Sequence, residues 1–361
     1  MMRFSTLMKH PADWMTGADT DSAIVLTSRI RLARNIKDAP FPGWARKAER
    51  IKILPELRDK VETLSEMKDA FSHQLSELSS VQKQVLVERH LISREQAARS
   101  EGSAIVVNRN QTLSIMINEE DHLRLQSIRS GLHLREAYQL IANIDKDLEQ
   151  SLPFAFDHEL GYLTACPTNV GTGLRASAML HLPGLVISDH IGQVIQAVGK
   201  LGLAVRGIFG EGTESLGHLF QISNQSTLGE SEEDILDRLE RVIQRVREQE
   251  RNARSKLLEE DPQMLADKIS RAYGQLKYAY VIDSKEALTY ISLVRLGSDM
   301  GCFPKEAMKL CDSLLMDIEP AHLQHKANRK LSPEERDTMR AEIIRSRLQN
   351  LSSPVINFIN S

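Results

Sequence analysis

The sequence predicts an α+β fold, an antiparallel sheet flanked by helices and followed by a small all-α C-terminal domain. Short strand-like apolar runs recur at 24–34, 104–107, 113–117, 201–209 and 219–223, with no regular alternation of strand and helix. Stretches with helical spacing separate them. Past Glu259-Glu260-Asp261-Pro262 the strand-like runs stop, and the rest reads as four or five short helices. The expected division is an N-terminal extension over 1–21, a larger domain over 22–256 and a helical domain over 257–361.

The run 24–26 feeds into Thr27-Ser28-Arg29-Ile30-Arg31-Leu32-Ala33-Arg34. Alternation there sets Arg29 and Arg31 on one face and Ile30 and Leu32 on the other. Helical spacing over 44–70 and 79–90 ends at His90, on its own a packing or capping residue as readily as a ligand. The strands 104–107 and 113–117 are joined by Asn108-Arg109-Asn110-Gln111, a hairpin turn, and run on into Glu119-Glu120-Asp121-His122-Leu123-Arg124. An amphipathic helix follows over 131–150. Residues 158–165 read as a strand entering Cys166 and Pro167, then a turn with Gly171 and Gly173, and the small, Ala-rich run after Gly173 reads as a helix start. A glycine turn opening onto a helix offers free N–H groups to an anion, and Arg175 adds a fixed cation. A helix over 184–198 leads to the strand 201–209 bearing Arg206, an acidic glycine-flanked loop with Glu211, and the strand 219–223. Ser231 then caps a long helix whose inner face carries Ile235, Leu239, Val242, Ile243 and Val246.

Composition excludes several classes. A net charge of −3 over 361 residues gives no global attraction to nucleic acid or anionic membrane. Three cysteines without CxxC spacing argue against a disulfide framework or structural zinc. With no signal-like or membrane-length apolar run, a cytoplasmic location is expected. A GxxxxGK[ST] loop is absent. Gly171-Thr172-Gly173-Leu174-Arg175-Ala176 fits the loose dinucleotide pattern, with Asp189 where a ribose-binding acid would stand. Arg175 inside the turn, Pro167 before it and the missing βα alternation argue against that reading.

The charged groups favour a different one. Arg29, Arg31, Arg124, Arg175 and Arg206 stand on strand ends or turns, and guanidinium groups with paired, permanently charged donors suit a triphosphate. ATP with Mg2+ is the expected ligand. Glu120 and Glu211 then form the complementary half, since a guanidinium becomes a nucleophile only when carboxylates orient and deprotonate it. Cys166 could add a thiolate there, or serve as a small apolar residue.

CPTNVGTGLRAS, NEEDHLR, SRIRLAR and RGIFGEGTE resemble the signature segments of the phosphagen (guanidino) kinases, and the whole chain is similar to the bacterial protein-arginine kinases of the McsB type. The resemblance implies ATP contacts at Thr27, Ser28, Arg29, Ile30, Arg31, His90, Arg124, Arg175, Ala176, Ser177, Ala178, Met179, Arg206, Gly207, Ile208, Phe209 and Gly210, with no protein-held metal. It implies Glu120 as catalytic base, Glu211 as second guanidinium ligand and Cys166 as active-site cysteine. The kinase signature begins by Thr27, which leaves no room for the helical N-terminal domain of the small-guanidine kinases, and Phe209 stands where those kinases carry another arginine. Both departures favour arginine side chains on proteins as acceptors. The implied partners are an McsA-type activator, the Clp protease machinery, a stress-gene repressor and a second copy of the chain. A free-guanidine kinase and a catalytically silent adaptor remain the alternatives.

In the helical domain, Ser332 with Pro333 and Glu335 predicts a capped helix start. Arg336 and Arg340 lie four apart on one face, with Asp337 three before Arg340, an arrangement that is either a solvated salt-bridged helix or a site for phosphate beside a guanidinium. RDTMRA resembles the RDxxRA motif of the protein-arginine kinases, which implies an allosteric phosphoarginine pocket at Arg336, Asp337, Arg340 and Ala341.

Overall fold

Alternating burial builds the first long strand, β1 (Val25–Arg34), with Ile30 and Leu32 in the core and Arg29 and Arg31 half-buried on the opposite face. The structure is a computed structural model that describes residues 2–9, 11–12, 23–207 and 215–358. A short helix α1 (Phe4–Lys9) precedes β1. After it come α2 (Lys47–Glu62), β2 (Phe71–Gln74), α3 (Ser80–Glu88), α4 (Arg94–Ala98), β3 (Ala104–Val107), β4 (Leu113–Ile117), β5 (Leu123–Ser130) and α5 (Leu134–Glu149). A two-stranded ribbon, β6 (Phe156–Asp157) and β7 (Gly161–Tyr162), leads to β8 (Leu174–His181), α6 (Pro183–Ile187), α7 (Ile191–Lys200), β9 (Leu203–Gly207), β10 (Leu219–Asn224) and α8 (Glu232–Glu260). Five helices close the described chain: α9 (Pro262–Tyr278), α10 (Ser284–Asp299), α11 (Glu306–Asp317), α12 (Pro320–Ala327) and α13 (Pro333–Arg347).

The main sheet has the order β2-β3-β4-β5-β1-β8-β10-β9. The register Arg29↔Ile128, Arg31↔Gln126 and Ala33↔Arg124 between antiparallel β1 and β5 brings Arg29, Arg31 and Arg124 to one face. The chain divides into two compact units. One is built mainly from Thr27–Ala178 with Ser223–Glu240, the other mainly from Met179–Ile222 with Arg241–Ser361.

In the first unit the buried pair Arg34–Asp145 (2.7 Å) ties β1 to α5, and Tyr162 stacks on the Arg34 guanidinium at 3.5 Å. In the second, α9, α10, α11 and α13 share an apolar core around Ile269, Leu288, Val294, Leu314 and Ile344. A buried polar network adjoins it. Ser292 on α10 bonds His181 Nε2 (2.7 Å) and His218 Nδ1 (2.6 Å), while Arg295 donates to His181 Nδ1 (3.1 Å), Asp312 (2.7 Å) and Ala23 O (2.6 Å). Burial drives both histidines below their usual range, His218 to about 4.

Several expectations need correction. The Ala-rich run after Gly173 is β8 rather than a helix, because Leu174, Ala176, Ala178 and Leu180 are all buried on one face. Period-two burial outweighs the helix preference of alanine. With no helix opening there, the dinucleotide reading fails. Gly171 and Gly173, both at positive φ, instead allow close approach of protein groups: a Cβ on Gly173 would lie 2.6 Å from the Arg34 guanidinium and 2.7 Å from Ala33 O. The strand expected over 158–165 shrinks to the two residues of β7. The helix expected over 184–198 breaks into α6 and α7 at Asp189, which takes a φ of 58°. The acidic run before Arg124 is a tight strand-to-strand turn over 118–122, and β5 beyond it went unpredicted.

Candidate active site

In the first unit, four cations meet on the polar face of the sheet, Arg29 and Arg31 on β1, Arg124 on β5 and Arg175 on β8. Arg31 feels Arg29, Arg124 and Arg175 together, and burial followed by these charges drives it well below the usual arginine range. Burial and Arg124 push Arg29 down to about 10. The Arg31 Nε is buried without a hydrogen-bond partner. A buried donor amid mutually repelling cations fits an anion with several oxygens, as the phosphates of ATP require.

Two of these arginines are held in place. Glu119, 1% exposed, accepts from Arg124 NH1 through both oxygens (2.8 and 2.7 Å), from Ser93 Oγ (2.6 Å) and from the Glu120 backbone N–H (2.9 Å). Arg175 donates to Asn169 Oδ1 (2.9 Å), Asn224 O (2.6 Å) and Thr168 Oγ1 (2.8 Å). Asn224 itself accepts from the Ala176 N–H and donates to Leu174 O, both at 2.9 Å. His90 closes the α3 end in a left-handed conformation, its carbonyl accepting from Gln126 (2.7 Å). Burial first, then Arg29, lowers its pKa to about 4, so the ring is neutral at pH 7.

Glu120 sits on the same turn, half-exposed, 3.7 Å from Arg124. Its carboxyl is raised, chiefly by desolvation, with Asp121 and Glu119 adding repulsion against the pull of Arg124. The neighbouring Asp121 accepts from Asn35 Nδ2 (2.6 Å) and the Ala165 N–H (2.7 Å). That second bond ties the acidic turn to the residue before Cys166. The Cys166 sulfur lies 3.1 Å from Thr168 Oγ1, the hydroxyl that also accepts from Arg175, so Thr168 bridges thiol and guanidinium.

The other expected residues are spread more widely. Ser28 and Ile30 face away from the cluster: the Ser28 hydroxyl donates to Gly131 O (2.8 Å) and accepts from the His133 N–H (2.9 Å), and Ile30 is core. Thr27 is buried on the arginine side of β1. Ala176 and Ala178 pack into the core, while the Ser177 hydroxyl reaches Arg29 O at 3.5 Å. Met179, Arg206 and Gly207 belong to the second unit, where Arg206 is exposed on β9. Ile208, Phe209, Gly210 and Glu211 lie outside the described residues. Glu119, Asp121, Asn35, Asn169 and Asn224 were not singled out from sequence. The acidic run named a site but not which acid holds an arginine, and the asparagines give no signal before the fold brings their partners in.

In the second unit, Ser332 caps α13 by accepting from the Glu335 N–H (3.2 Å), and Glu335 returns the bond to the Ser332 N–H (2.8 Å). Arg340 is 1% exposed and donates to Ile318 O (3.1 Å), Ile282 O (2.9 Å) and Asp337 (2.5 Å). Arg336 and Asp337 are half-buried on the preceding turn, and Ala341 is buried.

The model of the ATP:guanido phosphotransferase C-terminal catalytic domain matches residues 52–253, and that of the protein-arginine kinase McsB C-terminal domain matches 262–358. A protein-arginine kinase of Brevibacillus brevis is 45% identical over 96% of this chain and 98% of its own length. The chain belongs to the protein-arginine kinase family. A relative of the same name from Halothermothrix orenii is also 45% identical, over 94% of this chain and 97% of its own. Among solved structures, a lombricine kinase aligns with a TM-score of 0.56 at 26% identity, over 67% of this chain and 71% of that one. The duplicated taurocyamine kinase of Schistosoma mansoni shares the fold, with a TM-score of 0.58 at 23% identity over 80% of this chain and 49% of that one. Membership of an ATP:guanido phosphotransferase family implies ATP as the phosphoryl donor.

Proposed function

We propose that this protein transfers the γ-phosphoryl group of MgATP directly to a terminal guanidino nitrogen of arginine residues in proteins. The observation that carries the reading is a single turn holding two acids with opposite tasks. Glu119 is buried and bonded to Arg124, while Glu120 is open to solvent with a raised carboxyl pKa. Arg29, Arg31, Arg124 and Arg175 bind and neutralise the phosphates, neutral His90 donates a hydrogen bond, and the family resemblance adds Arg206 as a further cation. Mg2+ enters with the nucleotide and shares that neutralisation. Glu120 orients the acceptor guanidinium and takes its proton, with Glu211 as second ligand and Cys166 beside it. A carboxyl raised by desolvation is the stronger base, as this step requires. No covalent enzyme intermediate forms.

The catalytic domain spans 22–256 and the helical domain 257–361, a division supported by the two family matches, 52–253 and 262–358, although the boundary falls within α8 and the compact units group 179–222 with the helical part. In the helical domain, Arg336, Asp337, Arg340 and Ala341 bind phosphoarginine and activate the kinase. Support comes from the Arg340–Asp337 pair, which already joins the two charges that phosphoarginine would engage. The protein acts in the cytoplasm as a homodimer, stimulated by an McsA-type activator, marks proteins for the Clp protease and inactivates a stress-gene repressor. The test is mass spectrometry of casein after incubation with MgATP, under conditions that preserve acid-labile phosphoramidates. Phosphoarginine on casein, with slower turnover of free arginine, is expected; faster turnover of free arginine would assign the enzyme to small guanidines instead.

A further inference from the structure

Beside the acidic turn lies a cleft of about 340 Å³ that the phosphoryl-transfer reading leaves unused. Its walls are the segment after β1 and the first turns of α2, and one side is closed by His122, two residues beyond Glu120. The apolar lining comes from Ala39, Pro40, Ala45 and Ile53. The His122 ring adds to it: burial lowers its pKa to about 4, so it is neutral at pH 7, and it packs edge-on to Phe41 at 6.2 Å.

Charged groups at the rim largely cancel or are committed to local bonds. The Arg50 guanidinium donates to Ala45 O (2.7 Å), and Glu49 accepts from the Arg46 N–H (2.6 Å) as part of the α2 cap. Asp38, Glu56 and Lys52 complete the charged lining. Such a cleft selects for apolar contact over charge. The same segment holds Trp44, 87% exposed, a large apolar surface with no packing role.

The cleft adjoins the acidic turn through His122, which lines it. Asn118, at the start of the acidic turn, donates to Arg50 O (3.2 Å), and Arg99 lies within electrostatic reach of both Arg50 and Glu120. A polypeptide whose arginine reaches Glu120 would bring its neighbouring residues close to the turn that His122 shares with Glu120. The volume is enough to take one large side chain.

We propose that this cleft is a specificity subsite that takes an apolar side chain of the substrate polypeptide near the arginine to be phosphorylated. The inference rests on the protein-arginine kinase reading and adds a preference for segments that expose apolar residues, as unfolded chains do.

The test uses the full chain and unstructured peptides with one arginine and one Phe placed at successive positions on either side, against peptides with Ser in its place. One buried aromatic side chain is worth about a tenfold change in KM. At the favoured position the Phe peptide is expected to show a KM about tenfold lower, with kcat and the KM for ATP unchanged. Filling the cleft with Ala39→Phe, or making it polar with Ile53→Gln, should abolish the preference and leave kcat on the Ser peptide intact. Equal KM values for Phe and Ser peptides at every position overturn the proposal, as does a preference that survives in a folded, filled variant. The wild-type comparison decides the matter by itself if a variant does not fold. Failure to phosphorylate any peptide while casein is labelled would also count against a subsite that reads local sequence, and would leave the kinase reading standing.

Discussion

At the scale of single residues, the account turns on two adjacent glutamates that the sequence presents as equals. The NEEDHLR run marks the place, and the resemblance assigns Glu120. Only the structure separates Glu119, buried on Arg124 and Ser93, from Glu120, open and raised in pKa. The distinction lies in burial, which strand-end residues do not reveal until the partner strand is known. Glu119→Gln should leave Arg124 without its two-oxygen partner and lower kcat about tenfold or more, since misplacing one charge at the phosphates costs transition-state contact. It should also lower the melting temperature, because a buried charge loses its partner. Steady-state kinetics and thermal unfolding check both; unchanged kcat would relegate Glu119 to a packing role. In the helical unit, Asp337→Ala removes the carboxylate on Arg340 and should abolish phosphoarginine binding measured by calorimetry, with ATP binding retained. Unchanged phosphoarginine affinity would leave the RDTMRA segment as a capped, salt-bridged helix.

At the scale of elements, the α13 start was legible to the residue. Ser332, Pro333 and Glu335 form the predicted capping box because its geometry depends only on neighbours in sequence. Ser332→Ala should cost about 1 kcal/mol of stability, read from denaturant unfolding, while Ser332→Asp should cost much less. Equal losses in the two variants would show that the cap bond is not what matters. The arginine strand β1 is legible from period-two alternation, and the hairpin of β3 and β4 from short apolar runs joined by a polar turn, both of them local signals. What escaped was β8, where alanines suggested a helix, and β5, whose mixed polar sequence hides a strand in the middle of the sheet. Both sit beside β1, so their identity was set by pairing partners distant in sequence. At the glycine turn no helix opens, and its glycines admit backbone and Arg34.

At the scale of the whole molecule, buried and half-buried histidines tie stability to pH. Burial lowers His90, His122 and His218 from 6.5 to about 4. Between those values the unfolded chain binds more protons than the folded one. Their stabilising contribution is therefore complete above about pH 6.5 and is lost as pH falls toward 4. Asp121, Asp145 and Glu250, whose carboxyl pKa values are raised, act in the opposite sense, so the histidine share is best isolated by substitution. His218→Asn suits the positive φ at that position and can still bond Ser292, and should make the fall in melting temperature between pH 6.5 and 4 shallower. Identical pH slopes in wild type and variant would show that His218 does not titrate on unfolding.

In the proposed mechanism Glu120 acts on the acceptor guanidinium while the arginine face, held by Glu119, binds the nucleotide. Its most direct test is Glu120→Gln, with nucleotide affinity measured by calorimetry and phosphoarginine formation on casein by mass spectrometry. ATP affinity within about twofold of wild type and phosphoryl transfer reduced by about a hundredfold or more are expected. Retained transfer, or ATP binding lost together with transfer, would contradict it.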